Sequence, residues 1–130
     1  MSHLISPRLL GVVREAGQLA QRIRVDGLHP ILKSAAGDNF VTQGDYAVSD
    51  RMRDKLPKFF PGIEIVDEEV AKSHDIDIAK LALAAVIDPI DGTTKYSEGS
   101  NDCGISVGFV VYGEPIAGII YQFGIDKMYW

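Results

Sequence analysis

The stretch from residue 81 to 94 constrains this chain more than any other. An unbroken apolar run, Leu81 to Ile87, leads directly into Asp88-Pro89-Ile90-Asp91-Gly92-Thr93-Thr94. Such a run can be a buried strand, and period alone does not separate it from a buried helix segment. In either case two carboxylates, a proline and a glycine sit where the chain leaves the core. Pro89 fixes one φ angle and turns the chain so that Asp88 and Asp91 can face a common point, with the Ile90 carbonyl free to act as a further oxygen ligand. Gly92 lets the backbone approach a ligand closely. Thr93 and Thr94 can cap a short following helix, whose free N–H groups and dipole would cradle a phosphate.

A second acidic cluster, Asp67-Glu68-Glu69, follows the β-branched stretch Ile63 to Val66, which reads as a short strand. Taken alone, that triplet is also what a solvated surface loop looks like. Together with Asp88 and Asp91 it makes five carboxylates, which would repel one another strongly unless a cation sat between them. Oxygen ligands of this kind select Mg²⁺, Mn²⁺ or Ca²⁺ over zinc. The single cysteine, Cys103, excludes an internal disulfide and any metal site built on cysteine pairs, and it reads as a small buried hydrophobe.

The remaining segments supply a scaffold. Leu9, Val13, Ala16, Ala20 and Ile23 recur at alternating spacings of four and three, which predicts a helix capped by Ser6, with Pro7 in its first turn and Asp26-Gly27 as its stop. Val48, Met52 and Leu56 predict a second helix ending near Pro57. Residues 70 to 79 read as a solvated loop. Ile105 to Tyr112 and Ile116 to Tyr121 read as strands joined through Gly113-Glu114, a two-residue loop with glycine first, as a type II′ hairpin wants. Met128-Tyr129-Trp130 begins a further strand. The expected architecture is a layered α/β (α+β) domain with two N-terminal helices on a largely antiparallel sheet.

With 46% hydrophobic and 24% charged residues the 130-residue chain has an ordinary globular balance, and its net charge of −5 argues against a nucleic-acid backbone or an anionic membrane as main partner. The apolar run is far shorter than the roughly 20 residues a spanning helix needs, and the start of the chain lacks the pattern of a signal peptide. The expected location is the cytoplasm.

The Asp88-to-Thr94 heptapeptide resembles the signature of the inositol monophosphatase family. Val41-Thr42-x-x-Asp45, Phe60-Pro61 followed by Ile65-x-x-Glu68-Glu69, and Ile105-Ser106-Val107 with Gly113-x-Pro115-x-x-Gly118 fall in the family's order and at about its spacing. The resemblance implies an Mg²⁺-dependent phosphomonoesterase acting on a small phosphorylated alcohol such as inositol monophosphate. Fructose 1,6-bisphosphate, phosphoadenosine phosphate and histidinol phosphate are the alternative substrates within the family. It further implies that Glu68, Asp88 and the Ile90 carbonyl hold a first Mg²⁺ and that Asp88 and Asp91 hold a second. Asp45 and the Thr93 hydroxyl would position the attacking water, and Gly92, Thr93 and Thr94 would bind phosphate. Glu69 would stand behind the ligands or help hold a third ion, and Lys33 resembles a family lysine near the site. Asp67, where many members have glycine, adds a carboxylate beside these ligands, and Lys95-Tyr96 replaces the usual Asn-Phe.

Family members run to about twice this length, form an α-β-α-β-α sandwich and are usually homodimers. Their distal half carries a Trp-Asp motif that completes the second metal site. No Trp-Asp pair occurs here, so residues 1–130 are expected to form the N-terminal portion of such a domain, cut at its C-terminal edge. A non-catalytic module that binds phosphate or a partner subunit is the competing expectation.

Overall fold

The computed structural model describes residues 4–26, 31–32, 40–67 and 76–130. Helix α1 (Pro7–Asp26) starts as expected, with Ser6 Oγ accepting from the Leu9 N–H at 3.1 Å. Of the periodic stripe, Leu9, Val13, Ala16 and Ala20 are fully buried, and Ile23 is half-buried. Two residues from each of β1 (Ile31–Leu32) and β2 (Phe40–Val41) pair antiparallel across a stretch that looks merely polar in sequence. Helix α2 (Gln43–Phe59) buries Val48, Met52 and Leu56 on one side. It runs two residues past Pro57 because the Phe60 N–H closes the last turn onto Leu56 O at 3.1 Å, so the proline's missing N–H costs only one bond near a helix end.

The helices cover one face of a five-stranded sheet in the order β3 (Glu64–Asp67), β4 (Ala84–Asp91), β5 (Gly104–Val111), β6 (Glu114–Gln122), β7 (Lys127–Tyr129). Of its four pairings only β3–β4 is parallel, so the sheet is largely antiparallel, as the sequence suggests, with one parallel edge. The strand itself is displaced. Leu81 to Leu83 lie outside β4, because the Leu81 N–H closes a single helical turn over Ile78–Lys80. The strand extends instead through Pro89 to Asp91. Of the predicted loop, residues 70–75 lie outside the described residues.

The β5–β6 hairpin also differs from expectation. Val111 pairs with Glu114, so the loop is Tyr112-Gly113, and both residues have positive φ, 46° and 81°. That is the type I′ pattern, whose twist matches the strands, rather than a type II′ loop at Gly113-Glu114.

Alternation along the strands sorts the two faces. Ala85, Ile87, Ile105, Val107, Phe109 and Ile119 pack under the helices. The opposite face carries the cross-strand row Asp88, Ser106, Ile120 and Tyr129.

Tyr121, buried under α1, gives its hydroxyl to Asp126 Oδ1 at 2.8 Å, and Arg14 Nε lies 3.4 Å from the same oxygen. Burial, helped by the hydrogen bond to Asp126, pushes the phenol from 10.0 up to about 12. Between these values the folded state keeps a proton that the unfolded state has shed, so stability falls as pH rises through this window. A Tyr121→Phe variant is expected to show a shallower decline of its urea midpoint between pH 10 and 12 than the parent chain. An equally steep decline would refute this assignment.

Candidate active site

The Asp88-to-Thr94 segment leaves the sheet through a bulge. In an uninterrupted strand, side chains three residues apart point to opposite faces. Here Asp88 pairs with Ser106 and Asp91 with Gly104, so three steps along β4 match two along β5 and one extra residue is accommodated between them. Ser106 and Gly104 share a face, and Asp88 and Asp91 are thereby brought to that same face. Pro89, which has no N–H to give to a ladder, is tolerated at such a bulge. Asp88 is half-buried and Asp91 is exposed.

Gly92 then turns the chain with φ 82°, a left-handed conformation that side chains rarely adopt, and a Cβ there would sit 2.8 Å from Asp102 O. A short helix, α3 (Thr93–Ser97), follows it. Its first residue meets the first turn of α2. Thr93 Oγ1 lies 3.1 Å from Asp45 Oδ1 and 3.1 Å from Ile90 O. A hydroxyl has one proton to give, and the carboxylate is the stronger acceptor. The Ile90 carbonyl therefore keeps lone pairs for another donor or a cation.

Asp45 is 1% exposed and is held from the other side by Thr42. The Thr42 N–H and hydroxyl both donate to Asp45 Oδ2, at 2.9 and 2.7 Å, while the Asp45 N–H returns to Thr42 Oγ1 at 3.4 Å. This is a capping box at the start of α2, with aspartate in the place usually taken by glutamate. The same three bonds that begin the helix also fix the carboxylate that Thr93 touches.

The structure thus brings Asp45, Ile90 and Thr93 into contact and sets Asp88, Asp91, Gly92 and Thr94 beside them in the chain, Thr94 being exposed. Glu68, Glu69 and Lys33 lie outside the described residues. Among the described residues no group of three or more His, Cys, Asp or Glu side chains is placed to hold a metal ion. The donors present are nonetheless all oxygens, two carboxylates and a peptide carbonyl, which is the chemistry of a hard divalent cation. Cys103 offers no softer alternative: it is buried, and burial pushes its thiol up.

Asp67 is tied to α2. It is 1% exposed, and its Oδ2 accepts from Arg53 Nη2 at 2.7 Å, from Arg53 Nε at 3.2 Å and from the Ser49 hydroxyl. In β3 its side chain faces α2, where two residues one helical turn apart, Ser49 and Arg53, are waiting. This carboxylate, next in sequence to Glu68, is a buried ion-pair partner.

Tyr96, noted above as a departure from the family pattern, and Arg24, which pattern reading passes over, support the site. Tyr96, fully buried, donates its hydroxyl to Ala20 O at 2.6 Å and stacks edge-on against Phe123. Burial raises its phenol far above the ordinary range. Gly44 leaves room for that ring: a Cβ at 44 would come within 2.7 Å of Tyr96 Cζ and still nearer its hydroxyl. Arg24 reaches across from α1 to the carbonyls at the other end of α3. Thr42-x-x-Asp45 could have been recognised as a cap from spacing alone. Nothing in the sequence announces what Arg24 or Tyr96 bonds, because their partners lie more than 70 residues away along the chain.

The sequence model of the inositol monophosphatase family matches residues 6–130. The chain is 36% identical over 92 residues, 71% of its length and 33% of the relative's, to a fructose-1,6-bisphosphatase/inositol-1-monophosphatase of Aquifex aeolicus. It is 30% identical over 114 residues to inositol monophosphatase 2 of Rattus norvegicus, covering 88% of this chain and 39% of that protein. Among solved structures it is similar to the extragenic suppressor protein suhB of Bartonella henselae, with a TM-score of 0.77, 26% identity and coverage of 92% of this chain and 45% of the other. It is likewise similar to inositol monophosphatase II of Staphylococcus aureus, with a TM-score of 0.72, 28% identity and coverage of 92% and 42%. The chain therefore spans less than half the length of these relatives. The capping box, the bulged strand and the helix after Gly92 lie within the matched residues, and the chain belongs to the inositol monophosphatase family.

Proposed function

We propose that this chain supplies the first metal site and the water-positioning pair of a Mg²⁺-dependent phosphomonoesterase acting on a small phosphorylated alcohol such as inositol monophosphate. The observation that carries this reading is the contact of Thr93 Oγ1 with Asp45 Oδ1 and Ile90 O, directly beyond the bulge that sets Asp88 and Asp91 on one face. Solved relatives support the substrate class, since one S. aureus structure is described as bound to inositol monophosphate and another to 2′-AMP. In this reading Asp88, Asp91 and the Ile90 carbonyl, with Glu68, would hold the divalent ions. Bound there, the ions would lower the pKa of a nearby water and neutralise charge on the phosphate.

The chain's own residues do the rest. Gly92 and Thr93 present backbone N–H groups to phosphate oxygens, with Thr94 beside them. Thr93 Oγ1 holds the water in line with the ester bond, its own proton resting on Asp45. As the water oxygen bonds to phosphorus, its proton passes through the Thr93 hydroxyl to Asp45, and the departing alcohol oxygen takes the electron pair of the broken P–O bond and a proton from solvent. Glu69 and Lys33 would stand behind this set. No helix among the described residues is long and apolar enough to cross a membrane. The reading places the protein in the cytoplasm as one N-terminal portion of the family's layered domain, in a homodimer, with no nucleic-acid or membrane partner.

Because the relatives are more than twice as long, weak Mg²⁺ binding and little phosphate release are expected from the 130 residues alone. Titration by calorimetry should show Mg²⁺ affinity that Asp88→Asn lowers at least about tenfold, whereas Asp126→Asn, remote from the bulge, leaves it unchanged. Binding indifferent to Asp88→Asn would overturn the metal assignment. Rapid Mg²⁺-dependent release of phosphate from inositol 1-phosphate would overturn the expectation of an incomplete site.

A further inference from the structure

Helix α3 has five residues, too few to be stable on its own propensity. Something else must hold it, since Thr93 at its start has to meet Asp45. Its internal bonds run from the Tyr96 N–H to Gly92 O at 2.9 Å and from the Glu98 N–H to Thr94 O at 3.1 Å. The turn that follows is closed by the Gly99 N–H on Tyr96 O at 3.1 Å and the Ser100 N–H on Lys95 O at 2.9 Å.

The outside support comes from one residue of α1. Arg24 lies in the last turn of α1, where a cation would ordinarily serve that helix's own terminal carbonyls. Here it serves another helix. Its Nη1 donates to Ser100 O at 2.6 Å and to Tyr96 O at 3.4 Å and lies 3.7 Å from Cys103 Sγ, while its Nη2 is held by the side-chain oxygen of Gln21. The guanidinium also lies over the Tyr96 ring, 5.2 Å from its centre, and 5.7 Å from the centre of Phe123. One turn earlier on α1, Ala20 O takes the Tyr96 hydroxyl. The end of α3 remote from Thr93 is therefore clasped to α1 by two residues four apart, with Arg24 making most of the contacts.

We infer that Arg24 is a positioning residue for Thr93. It fixes the C-terminal end of α3 on α1, and thereby sets the Thr93 hydroxyl at the distance from Asp45 and Ile90 O that the proposed hydrolysis uses. This rests on the functional reading above for its importance to catalysis, but not for the geometry it asserts. Lysine cannot substitute fully, because a point ammonium does not span two carbonyls while lying flat on a ring.

The test is solution NMR of the full 130-residue chain. Three-bond couplings to Thr93 Cγ2 should report a single χ1 rotamer in the parent chain and averaging in Arg24→Ala. Amide exchange at Gly99 and Ser100 should accelerate by about tenfold or more, the scale expected when hydrogen bonds to a charged group are lost. Arg24→Lys should fall between the two. Arg14→Ala, which cuts an exposed pair with Asp126, should leave both readouts at parent values. A single Thr93 rotamer and unchanged exchange in Arg24→Ala would overturn the inference, as would equal effects from Arg14→Ala. Failure of the phosphatase reading would show separately, as parent-chain Mg²⁺ binding indifferent to Asp88→Asn.

Discussion

Replacing Arg53 by Met should destabilise the chain by about 3–5 kcal/mol, because it takes from the buried Asp67 carboxylate the guanidinium that bonds it. The asymmetry of the pair sets this expectation: the Asp67 side chain is 0% exposed and that of Arg53 is 33% exposed. Removing the guanidinium takes a bonded cation from a buried carboxylate, whereas removing the carboxylate leaves a partly exposed arginine that can hydrate. Asp67→Asn is therefore expected to cost less than Arg53→Met. The double variant should be more stable than Arg53→Met alone, a coupling that urea unfolding of the four chains would measure. A loss below about 1 kcal/mol for Arg53→Met would show that the pair contributes little.

The second large effect is steric. Gly44→Ala should cost about 2–3 kcal/mol, at the upper end of ordinary overpacking. A Cβ at 44 would lie 2.7 Å from Tyr96 Cζ and 2.8 Å from Cε1, and the ring has little freedom to retreat, with its hydroxyl on Ala20 O and Phe123 against its edge. Tyr96→Phe alone gives up one buried hydrogen bond, about 1 kcal/mol. Combined with Gly44→Ala it removes the hydroxyl that is the nearest obstacle, so the double variant should lose less than the sum of the singles. Strict additivity in thermal or urea unfolding would mean that the ring moves freely. The family pattern noted above has phenylalanine after the signature where this chain has Tyr96. The extra hydroxyl is accommodated here by the absence of a side chain at 44 and by an acceptor on α1.

What was legible in the sequence follows from the range of each interaction. Helix α1, its Ser6 cap and its buried stripe are set by residues within a few positions of one another, and they were read correctly. The order of the signature is legible locally, its geometry less so: Gly92 rather than a threonine is the N-cap of α3, no side chain caps that helix, and the bulge at Pro89 shows only in the pairing of β4 with β5. The β5–β6 loop was misplaced by one residue because Gly113 satisfies either hairpin type, and only pairing of Val111 with Glu114 shows that Tyr112 shares the turn. The ion pair of Asp67 is hidden in the sequence for a different reason. Its neighbours in sequence are acids, but its partners in space, Ser49 and Arg53, stand on a helix that precedes it by 14 residues or more. The role of Arg24 and the partner of Tyr96 are hidden for the same cause. The candidate ligands Glu68 and Glu69 lie outside the described residues, so only part of the acidic set is placed by geometry.

The bulge in β4 makes the parity of residue count a chemical variable. Between Asp88 and Asp91 the odd spacing along the chain is converted to an even one by the single residue that β5 does not match. Deleting one residue there would restore regular pairing and preserve the sheet, yet it would bring Asp91 onto its partner by a path that no longer needs Pro89 at a kink. Inserting one while the bulge is kept would turn Asp91 toward the helices and into the packed core. The sheet is indifferent to such a change as architecture, while the carboxylates are not, so this segment should tolerate substitution of its apolar residues far better than any change in its length.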